Sequence, residues 1–127
     1  MSSGAGIRDL AAQIGRNVVG HVAFSPVTIS DGTPDWYGVG PISVLPKYQR
    51  QGIGTALMNE GLSRLKARGA KGCALVGEPE YYKRFGFRNL PTLTLEGVPQ
   101  KYFLALSFTK APPTAAVTFH KAFTAQA

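Results

Sequence analysis

Cysteine is almost missing from this chain. Cys73 is the single one, too few for an internal disulfide or a cysteine zinc site, so the fold must rest on a packed core and no metal is expected. Acidic residues are scarce too, seven Asp and Glu against fourteen Lys and Arg. No apolar run approaches the ~18 residues that a membrane-spanning helix needs. The opening, Met1 to Gly6, has neither the basic flank nor the apolar stretch of a secretory signal. For 127 residues, 44% hydrophobic and 17% charged, these absences lead to the expectation of one globular domain in the cytoplasm.

Turn formers and positive charge are abundant. Gly 15 and Pro 9 occur without a repeating period, so the chain reverses often. The net charge of +7 is concentrated: residues 47 to 88 hold nine Lys and Arg and three Glu, a local excess of +6, and the rest contributes +1. A concentrated positive field suits a polyanion, either a nucleic acid or a multiply phosphorylated cofactor. A solvated basic surface without a dedicated partner produces the same count.

Periodicity divides the chain into elements. Ile7, Leu10, Ala11 and Ile14 fit a helical stripe, yet Leu10 to Ile14 also fits a strand before a turn. The Gly15-Arg16-Asn17 cluster and the β-rich run Val18 to Phe24 favour a hairpin over 10 to 25, with Pro26 ending or bending its second strand. Residues 30 to 35 read as a loop. Trp36 to Val44 reads as a third strand, bulged at Gly38, Gly40 and Pro41. From Gly54 to Arg68 the period becomes helical, with Leu57, Met58, Gly61, Leu62 and Leu65 on one face and Gly69 as the stop. Gly72 to Val76 is a short buried-type strand, so 36 to 76 predicts a βαβ unit with parallel strands. Pro79 opens a second helix through about Phe85, ended by Gly86, and Lys101 to Phe108 is a late strand. The Ala, Pro and Thr-rich tail from Ala111 to Ala127 has no evident place.

Two segments carry candidate chemistry. The first is the turn Val44 to Thr55, between a strand and the helix it feeds. Such a turn aims unpaired backbone N–H groups at one spot on the positive end of a helix dipole, and its glycines admit an anion close to the backbone. It lacks the Lys-Ser/Thr of a P-loop and the three-glycine dinucleotide spacing. A turn with two glycines also occurs simply as a tight turn. The second is Gly77 to Phe87, after the other parallel strand, and strand carboxyl ends are where open α/β sheets hold ligands. A tyrosine there has a proton to donate; Tyr81, Tyr82, Phe85 and Phe87 equally suit a core.

Together the two segments resemble the GNAT superfamily of N-acetyltransferases. Gln49-x-x-Gly52-x-Gly54 matches its Gln/Arg-x-x-Gly-x-Gly/Ala acetyl-CoA motif, and Tyr82-x-x-x-Gly86-Phe87 matches its Tyr-x-x-x-Gly-Phe element after the following strand. The runs Val18 to Val27, Leu45-Pro46-x-Tyr48-Gln49 and Leu75 to Tyr82 look like a branch of small bacterial acetyltransferases. The likeness spans about residues 10 to 108 of one domain over 1 to 127. It implies an α/β fold with a mixed sheet and a splayed parallel pair, and acetyl transfer from acetyl-CoA to a primary amine. Gln49, Arg50, Gln51, Gly52, Ile53, Gly54 and Thr55 would bind the pyrophosphate through backbone amides. Val44 and Leu45 would hydrogen-bond the pantetheine and polarise the thioester carbonyl, and Tyr82 would protonate the departing thiolate. Aimed donors and bound reactants suit direct acyl transfer.

Two departures qualify what the likeness implies. Family members place a strand and two helices before the hairpin, whereas about nine residues precede it here, so an open groove beside Tyr82 is expected to be covered by a second copy in a twofold dimer, or by the tail. No general base stands out either. His21, Glu78 and Glu80 are the candidates, His21 fitting a locally satisfied strand residue and the glutamates a helix flank. Cys73 fits a small core residue better than a nucleophile. The rivals are a catalytically silent acyl-CoA-binding module and, on charge alone, a nucleic-acid-binding domain.

Overall fold

The structure, a computed structural model, describes residues 8–120. The opening residues read above for a secretory signal and the end of the tail lie outside the described residues. β1 (Arg8–Ile14) and β2 (Asn17–Ile29) form the expected hairpin, with Ile14 opposite Asn17 across the Gly15-Arg16 turn. Of the two expectations for Pro26, ending or bending the strand, the first does not hold: β2 runs through it to Ile29. Ladder bonds alternate between the two edges of a strand, and Gly40 N–H bonds to Ala23 O, so the nitrogen of Pro26 faces away from β3. On that other edge the pairing with β1 ends at Phe24 and the pairing with β8 starts at Val27, so no partner there needs an N–H from Pro26.

The stretch expected as one bulged strand is two. β3 (Trp36–Val39) pairs antiparallel with β2 and β4 (Ser43–Val44) pairs with β2 alone. α1 (Ile53–Ala67) follows, one residue earlier at each end than anticipated, then β5 (Gly72–Val76) and α2 (Pro79–Tyr82), which continues as a 3-10 turn over Lys83–Phe85. β6 (Leu93–Thr94) was not anticipated, β7 (Phe103–Ser107) is the late strand, and β8 (Ala115–Phe119) comes from the unplaced tail. The sheet runs β6-β8-β2-β3-β5-β7, with β1 and β4 also on β2. β5 is parallel to β3 from Trp36↔Gly72 to Gly38↔Ala74, as the βαβ reading required. Beyond that point β4 stays with β2 and β5 with β7, so the sheet forks between β4 and β5.

Alternation sends each strand's side chains to two cores. Val22, Phe24, Cys73 and Leu75 pack under α1, whose buried residues are the expected Leu57, Met58, Gly61, Leu62 and Leu65. Val27, Ile29, Trp36, Ala74, Phe103 and Val117 fill the opposite face under the β6–β8 segment. Gly61 is glycine for space: a Cβ there would overlap the Phe24 ring. Its helix-propensity cost of about 1 kcal/mol is offset by burying a phenylalanine, about 1.5 to 3 kcal/mol.

Candidate active site

Two hollows meet at the fork. The first lies on the α1 side, has a volume of about 580 Å³, and is lined by Val44, Arg50, Gly52 to Thr55, Tyr81, Tyr82 and Arg84 among others. The loop that builds it is braced from within: Gln49 Nε2 donates to Val44 O at 2.9 Å and Gln51 Nε2 to Lys47 O at 3.4 Å. Its backbone turns left-handed at Arg50 (φ 67°) and again at Gly52 (φ 82°). For arginine that conformation costs roughly 1 to 2 kcal/mol. The first bond of α1 runs from Ala56 N–H to Gly52 O at 2.9 Å, and among the described residues the amides of Gln51 to Thr55 find no acceptor. The first turn of α1 carries no acidic side chain, so the positive end of its dipole is uncompensated. Donors, dipole and two arginines make this end of the hollow an anion cradle, and the open space in front of Gly52 leaves room for the anion.

Two of the expected backbone donors are occupied. The Gln49 N–H donates to Pro46 O at 3.3 Å, so the free amides begin after it. The Leu45 N–H donates to Val19 O, and Leu45 O accepts from Tyr48 N–H, both at 2.8 Å. Because ladder bonds alternate, the neighbouring Val44 N–H points away from β2 into the fork, and Val44 becomes the donor there.

The tyrosines divide their positions. Their rings meet edge-on at 4.9 Å, and the Arg84 guanidinium stacks 4.4 Å from the Tyr81 ring centroid while its Nε donates to Tyr81 O at 2.9 Å. The Tyr81 hydroxyl reaches toward Gly54, 3.4 Å from where a Cβ would stand. Tyr82 packs over Gly77 and beside Phe87, half-buried. Burial first, and Tyr81 second, push its hydroxyl above the ordinary tyrosine pKa, so it keeps its proton at neutral pH.

Tyr82 also lines the second hollow, about 500 Å³ on the opposite face of the sheet, together with Val39, Leu75, Glu96, Val98 and Val117. None of the three base candidates lines either hollow. His21 Nε2 sits 3.0 Å from Asp9 Oδ1 on the β1–β2 ladder. Glu78 O accepts the N–H groups of Tyr81 and Tyr82, and Glu80 bonds Lys83 at 2.8 Å, which holds its carboxyl below the usual range. Cys73 is fully buried, and burial pushes its thiol far above the ordinary range, which removes it as a nucleophile. Glu96 is the site carboxylate that the sequence reading missed. Its one signal is Leu95-Glu96-Gly97-Val98, a turn pattern that says nothing about a cavity. Among the described residues no group of three or more His, Cys, Asp or Glu stands close enough to hold a metal, and no helix is long and apolar enough to cross a membrane.

Comparison with known proteins agrees with this geometry. Residues 4–87 match the acetyltransferase (GNAT) family. Over 70 residues, 55% of this chain, it is 41% identical to the "Uncharacterized N-acetyltransferase YhbS" of Escherichia coli (strain K12), covering 42% of that protein. Over 95 residues, 73% of this chain, it is 30% identical to the "Uncharacterized N-acetyltransferase YjhQ" of the same strain, covering 51% of it. The chain thus spans about half the length of these curated relatives. A GNAT family acetyltransferase from Brucella melitensis, solved in complex with acetyl-CoA, superposes with a TM-score of 0.77 at 43% identity, over 91% of this chain and 67% of the other. YhbS from Escherichia coli, solved in complex with CoA, superposes with a TM-score of 0.84 at 31% identity, over 91% and 68%. A forked mixed sheet, free amides at the start of α1 and a family match across two thirds of the sequence lead to one assignment: the chain belongs to the GNAT acetyltransferase family.

Proposed function

We propose that this protein transfers an acetyl group from acetyl-CoA directly to a primary amine. The observation that carries the reading is the place of Tyr82, a protonated hydroxyl lining both hollows at the fork of the sheet. The first hollow takes the acetyl donor. Amides from Gln51 to Thr55, with Arg50 and Arg84, hold its pyrophosphate; Val44 N–H bonds the pantetheine end and polarises the carbonyl. Gln49 and Leu45 serve the same site by bracing the loop. Tyr82 gives its proton to the leaving thiolate, whereas Tyr81 faces the first hollow alone. Supporting the reading, two similar proteins were solved with acetyl-CoA or CoA bound.

A cytoplasmic location goes with the use of acetyl-CoA. Twofold self-association belongs to the proposal on different ground than an open groove, since β8 already walls the space beside Tyr82. Its support is the exposure of Ile14, Val18 and Leu45 toward one end of the β1–β2 ladder. Light scattering over a concentration series should show a dimer, and a monomer throughout would remove that part. The principal test is thiol release from acetyl-CoA across a panel of primary amines, beside calorimetry with acetyl-CoA. Binding and amine-dependent release are expected; binding with no release on any amine would leave a silent acyl-CoA binder instead.

A further inference from the structure

We propose that the second hollow admits a primary amine carried on an apolar body, an arylalkyl or branched alkyl amine, with its ammonium held at the rim by Glu96. The inference rests on acetyl transfer at Tyr82 and adds the class of acceptor. The hollow's walls are chiefly aliphatic: Val76 on β5, Leu95 and Val98 after β6, and Val117 on β8, while the neighbouring Val39 and Leu75 turn their side chains under α1. Glu96 is the single carboxylate among them, and no lysine or arginine lines this side, in contrast to Arg50 and Arg84 across the fork.

A tight turn sets the carboxylate in place. Val98 N–H donates to Leu95 O at 3.4 Å and Gly97 takes φ 86°, a left-handed position that glycine occupies without strain. Glu96 is therefore at an exposed corner of the turn, beside the aliphatic wall. In a chain with fourteen lysines and arginines it has no hydrogen-bond or ion-pair partner among the described residues. An unpaired anion at the mouth of an apolar hollow attracts one cation and leaves the interior for hydrocarbon. A polycation such as a polyamine or an aminoglycoside would press further charges against the aliphatic wall without partners, which is unfavourable.

The chemistry follows from this placement. The amine arrives as an ammonium at Glu96, releases one proton through the exposed carboxylate to water, and then moves its nitrogen inward to the fork beside Tyr82 while its hydrocarbon slides along the aliphatic wall. Its nitrogen lone pair attacks the thioester carbonyl carbon across the fork, so that a C–N bond forms and the C–S bond breaks. Tyr82 gives its proton to the departing sulfur and regains one from the acylated nitrogen. One ammonium and one acetyl-CoA become one amide, one CoA thiol and one free proton.

The test uses the full chain with phenethylamine, isoamylamine, spermidine and kanamycin as acceptors at saturating acetyl-CoA. The two apolar amines should exceed the two polycations in kcat/KM by roughly tenfold or more. Glu96→Gln should raise the KM for phenethylamine roughly tenfold and leave the acetyl-CoA dissociation constant unchanged. Preference for spermidine or kanamycin, or an unaltered amine KM in Glu96→Gln, would overturn the proposal while leaving acetyl transfer intact. A second measurement does not depend on turnover: amide chemical shifts followed during phenethylamine titration in the presence of CoA. Shifts at Val39, Leu75, Val98 and Val117, weakened by Glu96→Gln, are expected. Their absence at millimolar amine overturns the assignment even if no amine is acetylated.

Discussion

The two hollows at the fork are built in opposite ways. The first draws its lining from two local stretches, 42 to 55 and 81 to 84, and presents backbone donors and arginines. The second gathers residues from five separated places, 39 to 41, 75 to 76, Tyr82, 95 to 98 and 117 to 119, and presents mostly hydrocarbon. A cradle for a phosphorylated group depends on consecutive amides and is encoded by consecutive residues. A wall shaped for one acceptor is assembled by the fold, so it changes with substitutions at unrelated positions in the chain.

The sharpest way to divide the hollows is at the residue they share. Tyr82→Phe should lower kcat by about 10²-fold to 10⁴-fold, the effect of losing a positioned proton donor, with the acetyl-CoA dissociation constant and Tm nearly unchanged. Tyr81→Phe should do far less. A purely packing role for Tyr82 would give an unchanged kcat in the phenylalanine variant. The acid must carry its proton, and the Tyr82 pKa is raised above the ordinary tyrosine value, so kcat should hold as pH rises to about 10 and fall only beyond it. That alkaline fall should vanish in Tyr82→Phe; a fall centred below pH 9 would assign the limb to another group.

Smaller effects should confine themselves to one side. Gly52→Val forces a β-branched residue into φ 82°, a strain of about 1 to 3 kcal/mol, and places a side chain where the anion would lie. Gly54→Val crowds the Tyr81 hydroxyl and Ile42 instead. Both should weaken acetyl-CoA roughly 10-fold to 100-fold in a folded protein, as calorimetry would measure. Parent-like affinity in both would mislocate the cradle. On the other side, Val117→Ala should cost about 2 kcal/mol in denaturant titration and alter amine KM while sparing acetyl-CoA affinity. Equal loss of both affinities would mean that the hollows are not separable. Arg84→Ala should raise the acetyl-CoA dissociation constant only severalfold, less so in high salt, where exposed charges are screened.

The contrast also explains what was legible in the sequence. α1 announced itself through the stripe from Leu57 to Leu65, and β5 through a short apolar run, because local pattern determines both. The free amides could be anticipated from Gly52 and Gly54, though not that Gln49 would use its own inside the loop and Leu45 its own on β2, since that depends on Pro46 and on the ladder with Val19. β2 passing Pro26 depends on where two other strands stop. β6, with two residues, and β8, in an Ala, Pro and Thr-rich segment, carry too little pattern to be read alone. With them went Glu96, whose position at a site is a matter of tertiary neighbours.

The pairing of β8 with β2 has a consequence in time. Ala116 N–H donates to Ser30 Oγ at 2.9 Å and Ser30 N–H to Ala116 O at 2.8 Å, contacts separated by 86 positions of chain. Closing so long a loop carries a larger entropic cost than forming the turns of residues 42 to 84, and non-local strand pairing is slow for that reason. Refolding from denaturant should therefore restore the capacity to hold the acetyl donor before the amide of Val117 becomes protected from hydrogen exchange, and simultaneous recovery would contradict this order. During synthesis the same order is imposed by the ribosome, which releases residues 42 to 84 before 115 to 119: the nascent chain can complete the hollow at the start of α1 before β8 arrives to wall the second.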